Sequence, residues 1–299
     1  MMKIKNFLKK ITESEDLNFL LTNRIPRITL THFMGWFSQI ENPWVSKAGI
    51  SIWKLFADLD LSEAKEQSFK SLHACFIREL KPGARTVDER ENVISSPCDG
   101  IIGEFGQIED GQLFQAKGFP YTLNDLLGDE PSAHQWRDGV YMTIRITSSM
   151  YHRFHAPFTG EVKRLKYFSG DTWNVNPIAL KRVEKLFCKN ERALLEYKIE
   201  STNANLNSTN THYTIGIIPV AAVLVASIKL HGIQPILSTR YKGPNIMECN
   251  LPFKKGQEMG WFQHGSTILL FAPKGFSFQP ELYVGQQIKM GQALMQIPE

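Results

Sequence analysis

From about residue 92 onward the apolar residues occur in short alternating runs separated by turn residues, and this pattern limits the possible folds more than any other feature. Val140, Met142 and Ile144 alternate with Tyr, Thr and Arg, and a similar run begins at Leu195. Successive side chains of a strand point to opposite faces, so a period of two predicts strands rather than helices. We therefore expect residues 86–299 to form a mainly β domain.

The segment before this domain lacks the alternation and predicts short helices instead. Leu72 and Phe76 lie four positions apart, on one apolar helical face. Asp60 and Glu63 resemble a capping box that opens a helix. The chain as a whole predicts an α+β fold in which a small helical region, 1–85, accompanies the mainly β catalytic domain.

The charge of the chain is concentrated in its N-terminal part. Residues 1–85 hold 13 Lys/Arg against 9 Asp/Glu, which equals the net charge of +4 of the whole chain, and three of the six tryptophans lie there, Trp36, Trp44 and Trp53. Basic residues mixed with aromatic rings suit attachment to an anionic bilayer. They suit equally a helical subdomain with a solvated basic face, and composition leaves both interpretations open.

The sequence predicts neither a membrane span nor a signal peptide. The longest apolar stretch, 215–228, is interrupted by Pro219 and is shorter than the roughly 18 residues that a spanning helix needs. The N-terminus lacks a continuous apolar core and a cleavage site, so we expect the protein to stay inside the cell. None of the four cysteines forms a CxxC pair, which predicts reduced thiols rather than a zinc ribbon.

The C-terminal segment contains a pair of glycines that bears on the fold. Gly285 and Gly291 flank a hydrophobic position and precede a predicted strand. The pattern resembles the turn of biotinyl/lipoyl-type barrel–sandwich hybrid folds, whose acceptor lysine would lie close to Lys289. Such spacing is common in β proteins, so we interpret it as an indication of fold and not as a cofactor site.

Three segments carry residues suited to chemistry, and each alone is ambiguous. Asp99 before a glycine is most often a turn residue. His152 and His155, three positions apart, suit a proton carrier near neutral pH better than a metal site, because no third ligand lies nearby. Gly265 and Ser266, followed by threonine, are commonplace as a string.

In combination, these segments resemble a known family, the bacterial pyruvoyl-dependent phosphatidylserine decarboxylases. The resemblance covers most of the chain from about residue 70 onward, and the run KGxExGxF before Gly-Ser-Thr is its most specific part. It is carried by Ser96 to Gly100, Tyr151 to Pro157 and residues 255–275, and further by Cys75 to Pro82, Phe114 to Gly118, Gly170-Asp171, Phe187 and Asn190 to Arg192. The sequence departs from the pattern at His264, where a small or aliphatic residue is usual, and at Cys98, where a small one is usual.

The resemblance implies a self-cleaving proenzyme. The chain would be cut between Gly265 and Ser266, with His155 as the base that activates the serine and Asp99 as the residue that orients the histidine. Ser266 would become a covalent pyruvoyl group, which forms a Schiff base with phosphatidylserine and yields phosphatidylethanolamine. His152 is then the family's candidate acid for protonation after loss of CO2.

The resemblance also implies partners and a location. The substrate would be phosphatidylserine in an anionic membrane, and the enzyme would be peripheral on the cytoplasmic face of the cell membrane. The products 1–265 and 266–299 would stay associated, within a homodimer, and neither a metal nor a nucleic acid is expected.

Three rival hypotheses remain at this point. The chain could decarboxylate a soluble amino acid, which binding to liposomes would test. It could be a non-enzymatic carrier or membrane-binding module, for which an uncut chain is expected. It could also be a degenerate member of the family, given His264 beside the scissile bond.

Overall fold

The structure, a computed structural model, describes residues 14–115, 119–128, 131–202, 210–224, 227–263 and 266–298. Its helices are α1 (Glu15–Asn23), α2 (Arg27–Ser38), α3 (Pro43–Phe56), α4 (Leu72–Phe76), α5 (Leu123–Leu127), a 3-10 helix (Pro131–Trp136), α6 (Pro177–Leu180) and α7 (Leu186–Lys189). Its strands are β1 (Val93–Ser95), β2 (Gly100–Gln107), β3 (Gln112–Phe114), β4 (Pro120–Thr122), β5 (Val140–Ile146), β6 (Arg153–His155), β7 (Gly160–Phe168), β8 (Arg192–Thr202), β9 (Asn210–Ala221), β10 (Ser227–Leu230), β11 (Leu237–Ser238), β12 (Ile246–Phe253), β13 (Glu258–Phe262), β14 (Ser266–Ala272), β15 (Ser277–Phe278), β16 (Gln287–Ile288) and β17 (Ala293–Gln296). The chain is therefore mainly β with a few helices, as the sequence predicted.

An antiparallel sheet of eight strands forms the centre of the fold. Its order is β12-β7-β8-β9-β14-β5-β2-β16, so β14 pairs with β9 on one side and with β5 on the other. A four-stranded sheet, β11-β10-β13-β6, and a three-stranded sheet, β1-β17-β15, contribute to the core on one of its faces. The short helices α5 to α7 and the hairpin β3-β4 contribute to the core on the other.

Because both faces of the large sheet are covered, its central strand is buried throughout. Ile268 of β14 belongs to one apolar core together with Phe154 and Phe262 of the four-stranded sheet. Its neighbour Leu269 belongs to a second core with Trp136. Successive side chains of a strand point to opposite faces, and all seven residues of β14 are accordingly buried.

The predicted strands are present at the expected places. The alternating runs at 140–144 and from Leu195 onward are parts of β5 and β8. The alternation does not give β5 a face toward solvent, since Tyr141 and Thr143 are buried as well. The helical layer over that face explains the difference.

One predicted helix start is wrong. Asp60 does not open a helix: its carboxylate accepts hydrogen bonds from the backbone N–H (2.8 Å) and the hydroxyl (2.9 Å) of Ser62, which closes a local turn. Glu63, the expected reciprocal partner, forms a salt bridge with Arg85 instead (2.8 Å). A carboxylate that finds a tertiary cation is no longer available to a local cap. The predicted apolar helical face from Leu72 onward is confirmed as α4.

Helix α2 is fastened to the β domain by polar contacts. The Arg27 guanidinium donates to the carboxylate of Asp171 (Nε to Oδ1, 3.2 Å) and lies over the ring of Trp173 at 3.7 Å from its centroid. Thr31 accepts a hydrogen bond from the backbone N–H of Leu224 (3.0 Å), just beyond the end of β9. This contact brings α2 to the end of the sheet at which β14 begins.

Candidate active site

The register of the large sheet brings Asp99 and Ser266 to the same end. Ser266 is the first residue of β14 and pairs with Ile146, the last residue of β5. In the next strand, Ile101 pairs with Arg145. Asp99, two residues before Ile101, therefore lies level with the residue after β5. A segment some 165 positions away in the chain is thus placed beside the start of β14 by strand pairing.

The two histidines reach this end from the four-stranded sheet. The backbone N–H of His155 donates to the carbonyl of Pro97 (2.7 Å), in the segment that leads into β2. The backbone N–H of Phe262 donates to the carbonyl of His152 (3.0 Å), four residues before Ser266. Backbone hydrogen bonds therefore join the histidine strand both to the aspartate segment and to the segment that leads to the serine.

Asp99 is held by a buried arginine. The guanidinium of Arg85 donates to both of its carboxylate oxygens (Nε to Oδ1, 2.8 Å), and the backbone N–H of Met290 donates to Oδ1 as well (2.9 Å). The Arg85 side chain is only 7% exposed. Burial alone would lower the pKa of Arg85, but its hydrogen bonds to Asp99 and Glu63 outweigh burial and raise it. The sequence singled out neither Arg85 nor Met290, because nothing in their spacing distinguishes them from other basic or apolar residues.

His155 is buried and its two ring nitrogens are engaged. Nδ1 lies 2.9 Å from the carbonyl oxygen of Gly256, so it carries the proton, and Nε2 then accepts from the hydroxyl of Tyr151 (3.0 Å). Burial lowers the pKa of His155, against opposing contributions from the Gly256 carbonyl and nearby carboxylates. The ring is therefore neutral at pH 7 and has the lone pair that a general base needs.

The sequence predicts that Asp99 orients His155, and among the described residues no hydrogen bond joins the two side chains. Within the described ranges, the hydrogen bonds of the His155 ring go to Gly256 and Tyr151, and those of the Asp99 carboxylate go to Arg85 and Met290. Asp99 influences the imidazole through its charge, which favours the protonated ring. Gly256 and Tyr151 fix the ring tautomer here, a role that sequence reasoning had given to the aspartate alone.

His152 lies deeper, in an aromatic setting. Its side chain is fully buried, its Nδ1 lies 2.9 Å from the carbonyl oxygen of Met150, and its ring centroid is 3.9 Å from that of Phe76. The same carbonyl accepts from Arg78 (Nη2, 3.2 Å), which also binds the carbonyl of Ser149 (2.8 Å). Helix α4 and the arginine that follows it thus position the loop and the ring. Both belong to the segment of family resemblance, which had assigned them no role.

Ser266 provides a secluded hydroxyl. The residue is fully buried, and within the described part of the chain its Oγ has no hydrogen-bond partner. Its side chain points to the face of the sheet that carries Phe154 and Phe262, because Ile268, two residues on, packs against them. A buried polar atom of this kind fits a residue reserved for chemistry. The predicted cleavage partner Gly265, and His264, lie outside the described residues.

The described residues hold no cluster of three or more His, Cys, Asp or Glu arranged to bind a metal ion. Both histidines of the His-x-x-His pair direct Nδ1 to backbone carbonyls, at Met150 and Gly256. All four cysteines are free. Over the same residues, no helix combines the length and the apolar character that crossing a bilayer requires.

Comparisons with known proteins identify the family. The family model described as "Phosphatidylserine decarboxylase" matches residues 72–296. A phosphatidylserine decarboxylase proenzyme from Aliivibrio salmonicida is 32% identical over 294 residues, which cover 93% of this chain and 97% of the relative. The proenzyme from Idiomarina loihiensis is 31% identical over 97% of this chain and 99% of its own, and that from Coxiella burnetii is 34% identical over 84% and 87%. With this match spanning all the site segments described above, the chain belongs to the phosphatidylserine decarboxylase family.

Proposed function

We propose that this chain is a proenzyme that cuts itself between Gly265 and Ser266 and then decarboxylates phosphatidylserine with a pyruvoyl group made from Ser266. The observation that carries the proposal is the setting of Ser266. Its hydroxyl is buried at the start of the central strand, without a partner among the described residues, at the sheet end that also receives Asp99 and the two histidines. Thr267 Oγ1 is also buried without a partner among the described residues, so the convergence of these segments at Ser266, and not burial alone, supports the proposal.

In the proposed cleavage, the Ser266 hydroxyl attacks the carbonyl carbon of Gly265 and becomes an ester, while the peptide bond between Gly265 and Ser266 breaks and the nitrogen of Ser266 takes up a proton as a free amine. A serine needs a base for this attack, and His155, neutral because of its burial, takes the proton on Nε2. Tyr151 must first release that nitrogen. Asp99 stabilises the imidazolium that forms, by its charge. β-Elimination then frees the carboxylate of Gly265, and hydrolysis of the dehydroalanine at 266 releases ammonia and leaves a ketone.

For turnover, the chain's own residues move one proton and hold the reacting groups. A pyruvoyl group supplies a ketone that condenses with a primary amine as a Schiff base, and an electron sink for the loss of CO2. We assign the return of a proton to the substrate carbon to His152. Its Nδ1 donates to the Met150 carbonyl, so the proton transfer is assigned to Nε2, and Phe76 packs against the ring.

We infer that the pieces 1–265 and 266–299 stay together after cleavage. Strand β14, which begins at Ser266, is paired along its length with β5 and β9, and its seven residues are buried. Strand β17 pairs with β1 and β16 pairs with β2, both in the larger piece, while β15 pairs with β17 within the smaller one. Backbone pairing and burial thus replace the lost covalent bond. A homodimer remains part of the proposal through the family resemblance.

We further propose that the N-terminal helices bind the cytoplasmic face of the cell membrane peripherally. They expose an unusual number of large apolar side chains: Leu17, Leu20, Leu21, Ile28, Phe33, Trp36, Trp44, Ile52, Leu55 and Phe56. Apolar residues exposed together mark interaction surfaces, and aromatic rings favour the interface of a bilayer. Polar contacts such as Arg27 to Asp171 hold these helices on the β domain from the other side.

Two structural interpretations from the sequence also stay proposals. One is the division of the chain into a helical region, 1–85, and a catalytic domain, 86–299. Arg85, the last residue of the first region, forms a salt bridge with Asp99 in the second. The barrel–sandwich hybrid interpretation of the C-terminal segment is the other. In that segment Gly285 and Gly291 have positive φ (92° and 90°), as tight turns require, and Lys289 forms a salt bridge with Glu63 (3.2 Å).

The decisive test is processing of the purified chain, followed by intact mass and by N-terminal sequencing of the 34-residue product. We expect a blocked end at residue 266 and conversion of phosphatidylserine in vesicles. His155→Ala and Ser266→Ala should accumulate uncut. His152→Ala should be cut and trap substrate on reduction with borohydride, yet lose about 10²–10⁴-fold in product formation. A free serine at 266 would refute the proposal, and normal processing of His155→Ala would remove that residue from it.

A further inference from the structure

A cavity of about 390 Å³ lies between helix α2 and the loop 236–240. Its lining includes Gln263, which precedes Ser266 by three positions, and Ser227. The backbone N–H of Gln263 donates to the carbonyl of Ser227 (3.3 Å), so this wall is continuous with the segment that leads into the reacting residue. The cavity wall therefore includes the end of the described segment that precedes Ser266 in the chain.

The polar groups of this cavity suit an anion. Arg240 is exposed, and within the described ranges its guanidinium has neither a hydrogen bond nor an ion pair. Opposite it on α2 stands His32, whose Nε2 lies 2.8 Å from the hydroxyl oxygen of Thr239. Ser227 is 3% exposed and its Oγ has no partner among the described residues. The described lining contains no carboxylate.

The anion suited to this lining is a phosphate rather than a simple carboxylate. A guanidinium in company with hydroxyl and imidazole groups in one cavity offers several hydrogen bonds, and a phosphate presents acceptor oxygens in several directions. The pKa of His32 is lowered by its burial and by the charge of Arg240, so the ring is a neutral hydrogen-bonding group at pH 7. The net charge of the cavity then comes from Arg240.

The cavity also has an apolar rim. Trp36 lines it and is 65% exposed, and Phe33 on the same helix is 51% exposed. A ligand bound here would thus place its charged part against Arg240 and any apolar part along α2. An apolar rim adds nothing to the binding of free phosphate, whereas it can contact the apolar part of a lipid.

We propose that this cavity binds the phosphodiester of a glycerophospholipid, with Arg240 as its cationic contact and Ser227 as a hydrogen-bond donor. The inference rests on the proposed function, whose substrate carries an amine and a carboxylate a short two-carbon linker away from its phosphate. With the phosphate beside Gln263, the amine reaches toward residue 266 and the glycerol with its acyl chains runs out along α2. Arg240 would then select substrates that carry a phosphodiester over free serine.

The test measures binding to the uncut full-length chain Ser266→Ala, with glycerophosphoserine as a soluble probe. We expect Arg240→Gln in this background to weaken binding roughly 10-fold to 100-fold, the range of a charge-assisted contact. Lys242→Gln is the matched control: it removes the same charge from an exposed position of the same loop that does not line the cavity, and should leave the affinity unchanged. Trp36 fluorescence, read as the difference from Trp36→Phe, reports occupancy of the cavity.

Two further arms separate the possible sources of the anion. Inorganic phosphate should bind more weakly than glycerophosphoserine and compete with it; equal affinity would overturn the assignment to a lipid phosphodiester. Equal weakening by Arg240→Gln and Lys242→Gln would overturn the cavity as the site, because it would indicate general attraction by charge.

The same variant in the self-cleaving chain keeps this inference distinct from the proposed function. Arg240→Gln should be cut normally and react normally with hydroxylamine, a probe without phosphate, while its KM for phosphatidylserine rises with little change in kcat. An uncut parent chain would count against the proposed function. An unchanged KM in a cut Arg240→Gln enzyme would count against the phosphodiester site alone.

Discussion

Replacement of Arg85 by Gln is the perturbation for which the structure gives the clearest magnitude. The Arg85 guanidinium spans both oxygens of Asp99, and the two side chains are 7% and 11% exposed. Arg85→Gln leaves the carboxylate buried, with the Met290 N–H as its main remaining donor. Removal of one partner of a buried ion pair costs about 3–5 kcal/mol. The lost contact with Glu63, which is 42% exposed, adds at most about 1 kcal/mol.

The assay is urea unfolding of uncut chains that carry Ser266→Ala, so that every variant is one covalent species. Arg85→Gln should lower the free energy of unfolding by about 3–5 kcal/mol, whereas Glu63→Gln should lower it by less than about 1 kcal/mol. Asp99→Asn combined with Arg85→Gln should cost less than the sum of the two single changes, because the uncompensated charge is gone. The expected coupling is about 1–3 kcal/mol.

The reasoning would be refuted by a cost of Arg85→Gln no larger than that of Glu63→Gln, or by additive single changes. Either result would mean that water or another group compensates the buried charge of Asp99. In the chain with Ser266 intact, Arg85→Gln should also slow self-cleavage, because Asp99 loses the contact that fixes it beside the imidazole.

Four further predictions concern the histidines and the membrane surface. Tyr151→Phe removes the donor on Nε2 of His155 and should speed self-cleavage about 2-fold to 10-fold, as measured by gel, while slower cleavage would indicate that the tyrosine passes the proton on. Burial lowers the pKa of His155, so between about pH 6.5 and that lowered pKa the cleavage rate should stay level while stability is lost, because only the unfolded chain binds the proton there; the rate should fall once the pH drops below the lowered pKa. Phe76→Leu should be cut normally but form product about 2-fold to 10-fold more slowly, since it removes the ring that holds His152. Trp44→Ala should weaken binding to anionic vesicles about 10-fold, since that ring is 82% exposed, and unchanged sedimentation with vesicles would contradict the proposed surface.

Much of the candidate site was predictable because the proposed reacting residues lie in short, specific motifs. Asp99, His155 and Ser266 were named from three distant segments, and the sheet register brings those segments to one end. The groups that support them were not predictable. Arg85 is one of 13 basic residues in its region, and Gly256 contributes only a carbonyl.

The wrong prediction of a helix start at Asp60 has a related cause. A capping box forms only if both of its side chains bond to the backbone of the helix start. In the folded chain the Glu63 carboxylate forms a salt bridge with Arg85 instead. The burial of Tyr141 and Thr143 follows from a helical layer on the second face of the sheet, which the period of two cannot reveal.

By itself, the sequence determined the secondary structure class and the family and proposed the candidate reacting side chains, because periodicity and short motifs are local properties of the chain. Only the tertiary structure decided how those side chains are held. Asp99 is bound by Arg85 and by Met290, 191 positions away, and the tautomer of His155 is set by Gly256 and Tyr151. These partners meet through strand register and the packing of layers, and hydrogen bonds between distant segments exist only once the backbone has brought their atoms within about 3 Å.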